Sequence, residues 1–152
     1  MQLNEPSLVY GKSKLSAGSE GLWRYSRSYK NFQASVELRI HTHFGDGSEI
    51  VESLSKIHKV SSVGVDTSST PLASRFSLNG KAFGCGCINS RNSLSEKPEW
   101  VAENVSKASL ENASGIILTP NTDLRYLPRR YADGKLRILS EVAKLLRNEI
   151  EV

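Results

Sequence analysis

A chain of 152 residues with a net charge of +4 and 38% hydrophobic residues has room for one domain with a real core. Its apolar residues recur at regular spacings, which excludes a disordered chain, and no run of 18 apolar residues exists to span a membrane. The mild positive excess suits anionic small molecules and is too weak to point to nucleic acid.

Residues 3–9 read as a strand with Glu5 and Pro6 inside it, and 19–32 carry Leu22, Tyr25, Tyr29 and Phe32 at helical spacing. Residues 36–43 form a strand in which Val36, Leu38 and Ile40 share one face while Glu37, Arg39, His41 and His43 share the other. A short helix follows over 49–58, with Ile50, Leu54 and Ile57 on one side. Residues 60–66 are a strand ending in Asp66, followed by the polar loop 67–71. Residues 81–88 are a strand containing Gly84 and Gly86, which signals close backbone approach.

Pro98 opens a helix running to about residue 110, with Ser95 or Lys97 at its cap. Residues 115–119 are an apolar run without alternation, as buried parallel strands show. The last helix, 129–150, aligns Leu136, Leu139, Val142, Ala143, Leu146 and Ile150. Trp23 and Trp100 fall in helical patterns beside apolar neighbours and are expected to pack in or against the core.

Strands alternating with helices predict a parallel sheet with crossover helices, an α/β fold. The predicted strands end in polar tips at Asn4–Glu5, His41/His43, Asp66, Asn89–Ser90–Arg91 and Asn121–Thr122–Asp123. Polar groups gathered at the C-terminal ends of parallel strands are the mark of a TIM barrel, which needs eight strands where five are visible. A partial barrel is therefore expected, the later five strand–helix units of a (β/α)8 barrel, as one domain over residues 1–152. The opening residues 1–6 lack the basic and apolar regions of a signal peptide, so a cytoplasmic protein is expected.

Cys85 and Cys87 lie two apart, on one face of their strand. Such neighbours rarely close a disulfide of acceptable geometry, and two thiols leave a structural zinc site incomplete. Packing of small residues is the expected role.

Five pieces at these tips resemble the cobalamin-independent methionine synthase family: residues 2–8 (Q-L-N-E-P-S-L against the family's Q-x-D-E-P-x-L), 42–46 (T-H-F-G-D), 63–66 (V-G-V-D), 86–92 (G-C-I-N-S-R-N) and 119–124 (T-P-N-T-D-L) followed by Leu127–Pro128. They occur in the family's order and cover nearly the whole chain. The resemblance implies a TIM barrel acting in methyl transfer from methyl-tetrahydrofolate to homocysteine. The family's zinc ligands are a His, a Cys two residues on, a Glu on the next strand and a Cys in a later turn. Carried over, His43 keeps its place, the first Cys becomes Gly45, the Glu becomes Asp66 and the last Cys becomes Thr122, while the substrate-binding Asp becomes Asn4 beside Glu5.

The T-x-F-G-D and G-x-I-N-x-R-N pieces look closer to the family's metal-free N-terminal barrel. The resemblance thus implies a folate-side or non-catalytic component, inactive alone, with a separate catalytic chain or the other barrel half as partner in a homo- or hetero-oligomer. Its ligands would be a methyl-tetrahydrofolate polyglutamate or homocysteine, held by Asn4, Glu5, Asn89, Arg91, Asp123, Arg125 and Tyr126. No catalytic residue is assigned.

No cofactor is expected to bind this chain, although His43 and Asp66, joined by His41, would be the residues left to a degenerate zinc site. Against the ligand roles stand plainer ones: Glu5 paired with Arg39 or Arg91, Glu37 paired with Arg39, and Arg125, Arg129 and Arg130 as a solvated basic helix start that a polyglutamate tail would also suit. Two rivals remain, a non-enzymatic assembly module that dimerises over its sheet edges and a metal-dependent enzyme built on His41, His43 and Asp66.

Overall fold

Five parallel strands carry the fold, as a computed structural model describing residues 2–4, 8–9, 37–73 and 75–150 shows. In chain order the elements are β1 (Gln2–Asn4), β2 (Leu38–His41), α1 (Ser48–Ser55), β3 (Val60–Asp66), β4 (Arg75–Ser77), β5 (Ala82–Ile88), α2 (Pro98–Ser106), β6 (Ser109–Glu111), β7 (Gly115–Pro120), a 3-10 turn (Leu124–Tyr126) and α3 (Arg129–Ile150). The main sheet has the order β1-β2-β3-β5-β7, every pair parallel, and β4 and β6 form a separate two-stranded parallel sheet. Strands added in sequence order, with α1 between β2 and β3 and α2 between β5 and β7, make the curved wall of a partial (β/α)8 barrel.

Register partners in a parallel sheet share a face, so the two faces can be followed across the strands. One face carries Ile40, Val63 and Phe83, then Val65, Cys85 and Leu118. It packs beneath Ile50, Val51 and Leu54 of α1, Val101, Ala102 and Val105 of α2, and Ile138 and Val142 of α3, all buried. At roughly 1.5–3 kcal/mol for each fully buried aliphatic or aromatic side chain, this layer is the main source of stability.

The opposite face carries Arg39, Ser62, Ala82 and Gly115 in one row, His41, Gly64, Gly84 and Ile117 in the next, and Asp66, Gly86 and Thr119 at the tips. Gly64, Gly84, Gly86 and Gly115 leave the centre of this face short of side chains. At Gly64 the space that a Cβ would need is taken by the His41 imidazole, whose Nδ1 would stand 2.4 Å away. At Gly84 a Cβ would fall 2.7 Å from the Gly64 Cα, a backbone atom that cannot step aside. Gly84→Ala should therefore lower stability by about 2–3 kcal/mol, the upper range for overpacking, read as a drop in the urea midpoint at unchanged slope. An unaltered midpoint would show that the strands stand further apart.

Several boundaries differ from the expectation. β1 ends at Asn4 rather than residue 9, and Leu8–Val9 belong to a turn. β2 stops at His41, because Phe44 takes a left-handed backbone (φ 68°) that no strand accommodates. α1 ends at Ser55 and α2 at Ser106, each a few residues early, and β4 and β6 were not anticipated. Lys97 caps α2 without a side-chain bond. In contrast β3 and α3 have the expected limits. The expected helix over 19–32, with Trp23, lies outside the described residues, as do Glu5 and Val36.

Trp100 is not in the core; it is 61% exposed on the outer side of α2. Leu136 likewise faces solvent, whereas Leu139, Val142 and Leu146 of the expected stripe do pack on the core, joined by buried Lys135 and Ile138. No helix among the described residues is long and apolar enough to cross a membrane.

Candidate functional site at the strand tips

Asp66 ends β3 and is fully buried, so its carboxylate must find partners. It finds four. The Ser68 N–H and hydroxyl donate to Oδ1 at 2.9 and 2.6 Å, a tight turn that an Asp followed by Ser favours. Asn121 Nδ2, at the end of β7, donates to the same oxygen at 3.2 Å. Arg91 Nη2, from the loop after β5, donates to Oδ2 at 2.7 Å and also to Ser68 Oγ at 2.6 Å.

Asn121 in turn accepts from the Ser90 N–H (2.9 Å) and hydroxyl (2.8 Å), and Ser90 Oγ lies 2.5 Å from Thr122 Oγ1. One hydrogen-bonded network therefore ties the tips of β3, β5 and β7. Such closure gives each buried polar group of the network a partner and holds the tips at fixed separation.

Arg91 is the exposed end of this network. Its side chain remains 42% exposed while the buried carboxylate holds one nitrogen. The Phe44 ring lies 5.5 Å from the guanidinium, and His43 meets that ring edge-on at 4.6 Å between centroids. Phe44 reaches this place through its left-handed backbone, a conformation costing about 1–2 kcal/mol for a residue with a Cβ. Thr70 holds the same loop, accepting from the Gly47 N–H at 2.9 Å. A fixed guanidinium walled on one side by an aromatic ring is suited to a carboxylate.

His41 lies beside Gly64, is 6% exposed, and has an Nε2 without a hydrogen-bond partner. Burial, reinforced by neighbouring His43 and opposed by Asp66, pushes its pKa down from 6.5 to about 4. The ring is therefore neutral at physiological pH.

The residues expected to hold a ligand divide into groups. Arg91 stands in the tip network. Asn89 holds its own loop, its Oδ1 accepting the Arg91 N–H at 2.9 Å. Asn4 is exposed on β1, in register with His41, and accepts from Gln2 Nε2 at 3.1 Å. Asp123, Arg125 and Tyr126 sit around the 3-10 turn: Asp123 Oδ1 accepts the Arg125 N–H, Arg125 Nε pairs with Asp123 Oδ2 at 2.9 Å, and Tyr126 is 80% exposed below the Arg125 guanidinium. Arg129 pairs with Asp133 and Arg130 bonds Tyr131, a solvated basic helix start. The expected pairing of Glu5 with Arg39 or Arg91 lies outside the described residues; Arg91 pairs with Asp66, and Arg39 stands 3.8 Å from Glu37, as expected.

The zinc positions do not compose a donor set. Gly45 has no ligand atom, and a Cβ there would meet Val9 at 3.0 Å. Thr122 is bonded to Ser90, and both Asp66 oxygens are engaged. Among the described residues no three His, Cys, Asp or Glu side chains gather as a metal site.

Sequence reasoning missed Ser68, Ser90 and Asn121 as the joints of the network. It also missed the Lys135–Glu96 pair: Lys135 is 2% exposed, its Nζ lies 2.8 and 2.9 Å from the two Glu96 oxygens, and it bonds the Leu94 carbonyl. Glu96 Oε1 also accepts the Asn89 N–H at 3.0 Å. The loop carrying Arg91 is thus anchored to α3.

Fold and tips together define part of an α/β barrel with its polar mouth at the C-terminal strand ends. A B12-independent methionine synthase from Shewanella sp. W3-18-1, solved in complex with selenomethionine, matches this chain with a TM-score of 0.77 at 21% identity. The match covers 98% of this chain and 48% of that one, so the chain spans about half the length of the solved protein. No protein-family model and no curated sequence matches.

Proposed function

We propose that this chain is a methionine-synthase-like component of methionine biosynthesis that binds a methyl-tetrahydrofolate polyglutamate or homocysteine at its strand tips and does not itself carry a zinc–thiolate centre. The observation that supports this reading is Arg91, held on buried Asp66 at the mouth of a barrel wall that matches a methionine synthase in fold. Both ligands carry carboxylates, which an anchored guanidinium recognises. Catalytic methyl transfer would fall to a separate chain or to the other half of a barrel. Calorimetric titration of the chain with each ligand tests the reading: saturable binding of one of them is expected, and binding of neither overturns it.

A second reading, an assembly module that covers its own sheet edges, draws support from the exposure of Gly115 and Ile116 on β7, an end strand of the sheet. A dimer on sizing with no ligand response would favour it.

A further inference from the structure

The concave face holds a buried side-chain atom whose chemistry the strand-tip network does not use. His41 is 6% exposed, and its Nε2 has no hydrogen-bond partner among the described residues. Buried polar atoms are rarely left so, and an orphan of this kind points to a partner that binds from outside the chain. Nε2 looks onto the bare backbone of Gly86, where a Cβ would stand 3.1 Å from the nitrogen and 2.9 Å from the Asn121 Cα. Glycine at this position leaves the nitrogen uncovered by any side chain of β5.

The polar side chains around that point are already committed. Thr119, the register partner of Gly86 on β7, turns its hydroxyl onto the Cys85 carbonyl at 3.4 Å. Asn121 directs its amide to Asp66 and Ser68 and accepts from Ser90 with its oxygen. Asp66, the register partner of Gly86 on β3, has both oxygens bonded by Ser68, Asn121 and Arg91. Gly86 therefore lies one strand, about 4.8 Å, from the carboxylate that holds Arg91.

The same closure decides what kind of group can meet the nitrogen. Asp66 is the carboxylate at this point, and its occupied oxygens leave nothing to balance an ammonium. A buried cation without an anion is costly. The imidazole is itself neutral at physiological pH. An uncharged group that hydrogen-bonds, an amide or the edge of a nitrogen heterocycle, meets both conditions.

We infer that His41 Nε2 receives the buried end of the ligand whose carboxylate Arg91 holds, and that this end is an uncharged amide or nitrogen heterocycle and not an ammonium. Given a carboxylate on Arg91, the reading on which this rests, the bicyclic ring of methyl-tetrahydrofolate meets the requirement and the ammonium of homocysteine does not.

Calorimetric titration of the native chain, His41→Phe and Arg91→Gln with methyl-tetrahydrofolate polyglutamate and with homocysteine separates the two readings. Phenylalanine keeps a buried ring and removes the nitrogen. The folate should bind the native chain at least tenfold more tightly than homocysteine does, and His41→Phe should weaken it about tenfold, the contribution of one hydrogen bond. Should His41→Phe misfold, the native chain with isotope-labelled histidine replaces it. Its His41 Nε2 resonance should then move by several ppm as the folate saturates the site. Homocysteine bound as tightly as the folate would overturn the inference. So would folate binding that His41→Phe leaves unchanged, or an Nε2 resonance indifferent to saturating folate, the sign of an ordered water as its partner. In those cases the loss of binding in Arg91→Gln still upholds the carboxylate reading, whereas binding of neither ligand to the native chain overturns both.

Discussion

Replacing Lys135 by methionine should lower stability by about 3 kcal/mol, the near end of the range for breaking a buried ion pair. The cost comes from what is left behind. Lys135 is 2% exposed, and removing its ammonium leaves the Glu96 carboxylate, 15% exposed, without its cation. Methionine keeps most of the stem volume, so little of the loss arises from a cavity. The double variant Lys135→Met with Glu96→Gln removes both charges while the Gln oxygen still accepts the Asn89 N–H. It should recover at least half of the loss, as replacing both partners does elsewhere.

Urea midpoints at constant slope measure both variants. If the double variant is as unstable as the single one, the ion pair is not what holds the loop. A further consequence links stability to the mouth. The pair anchors residues 89–97, and Arg91 lies in that loop, so the single variant should also weaken any ligand held by Arg91.

Acidification supplies the second large effect. The His41 pKa falls from 6.5 in an unfolded chain to about 4 in the folded protein, chiefly because burial penalises the cation. The unfolded state therefore binds the proton more tightly, and stability declines as pH drops through 6.5 and levels off near 4. At 1.36 kcal/mol per pH unit the full effect is about 3 kcal/mol, present above pH 6.5 and lost by pH 4. His41→Gln has no proton to bind, so the difference between its stability curve and that of the native chain should carry this slope. Parallel curves over pH 4–7 would show that the imidazole is already solvated.

Much of the architecture was legible because it rests on local pattern. The run 60–66 carries three valines and ends in an acid, and it folds as β3 to the residue. The 129–150 periodicity survives as α3, since 22 residues give a long signal. The three-residue strands β4 and β6 left no trace, because pairing across 34 positions rather than local propensity makes them strands.

The start of the buried stripe of α3 was misjudged for a related reason, while Leu139, Val142 and Leu146 pack as expected. A lysine reads as solvent-facing, yet Lys135 starts the buried stripe because Glu96, 39 residues away, neutralises it. Asp66 and Arg91 were each visible as polar tips. Their pairing, 25 residues apart, was not, because nothing local distinguishes Asp66 from the other acids as the partner. Phe44 hid the end of β2 in the same way: a bulky residue gives no sequence signal of a left-handed backbone.

The central claim is that the guanidinium held by Asp66 receives a ligand carboxylate at the barrel mouth. Arg91→Gln removes that cation and leaves buried Asp66 to its Ser68 and Asn121 donors, a stability cost that the urea midpoint measures, while the binding energy of a charge-assisted pair to the ligand is lost. Calorimetric titration of both proteins with methyl-tetrahydrofolate polyglutamate and with homocysteine is the most direct measurement. Saturable binding of one ligand to the native chain, weakened about tenfold or more in Arg91→Gln, is the predicted result. Binding of equal strength to both proteins would contradict the account, as would binding to neither.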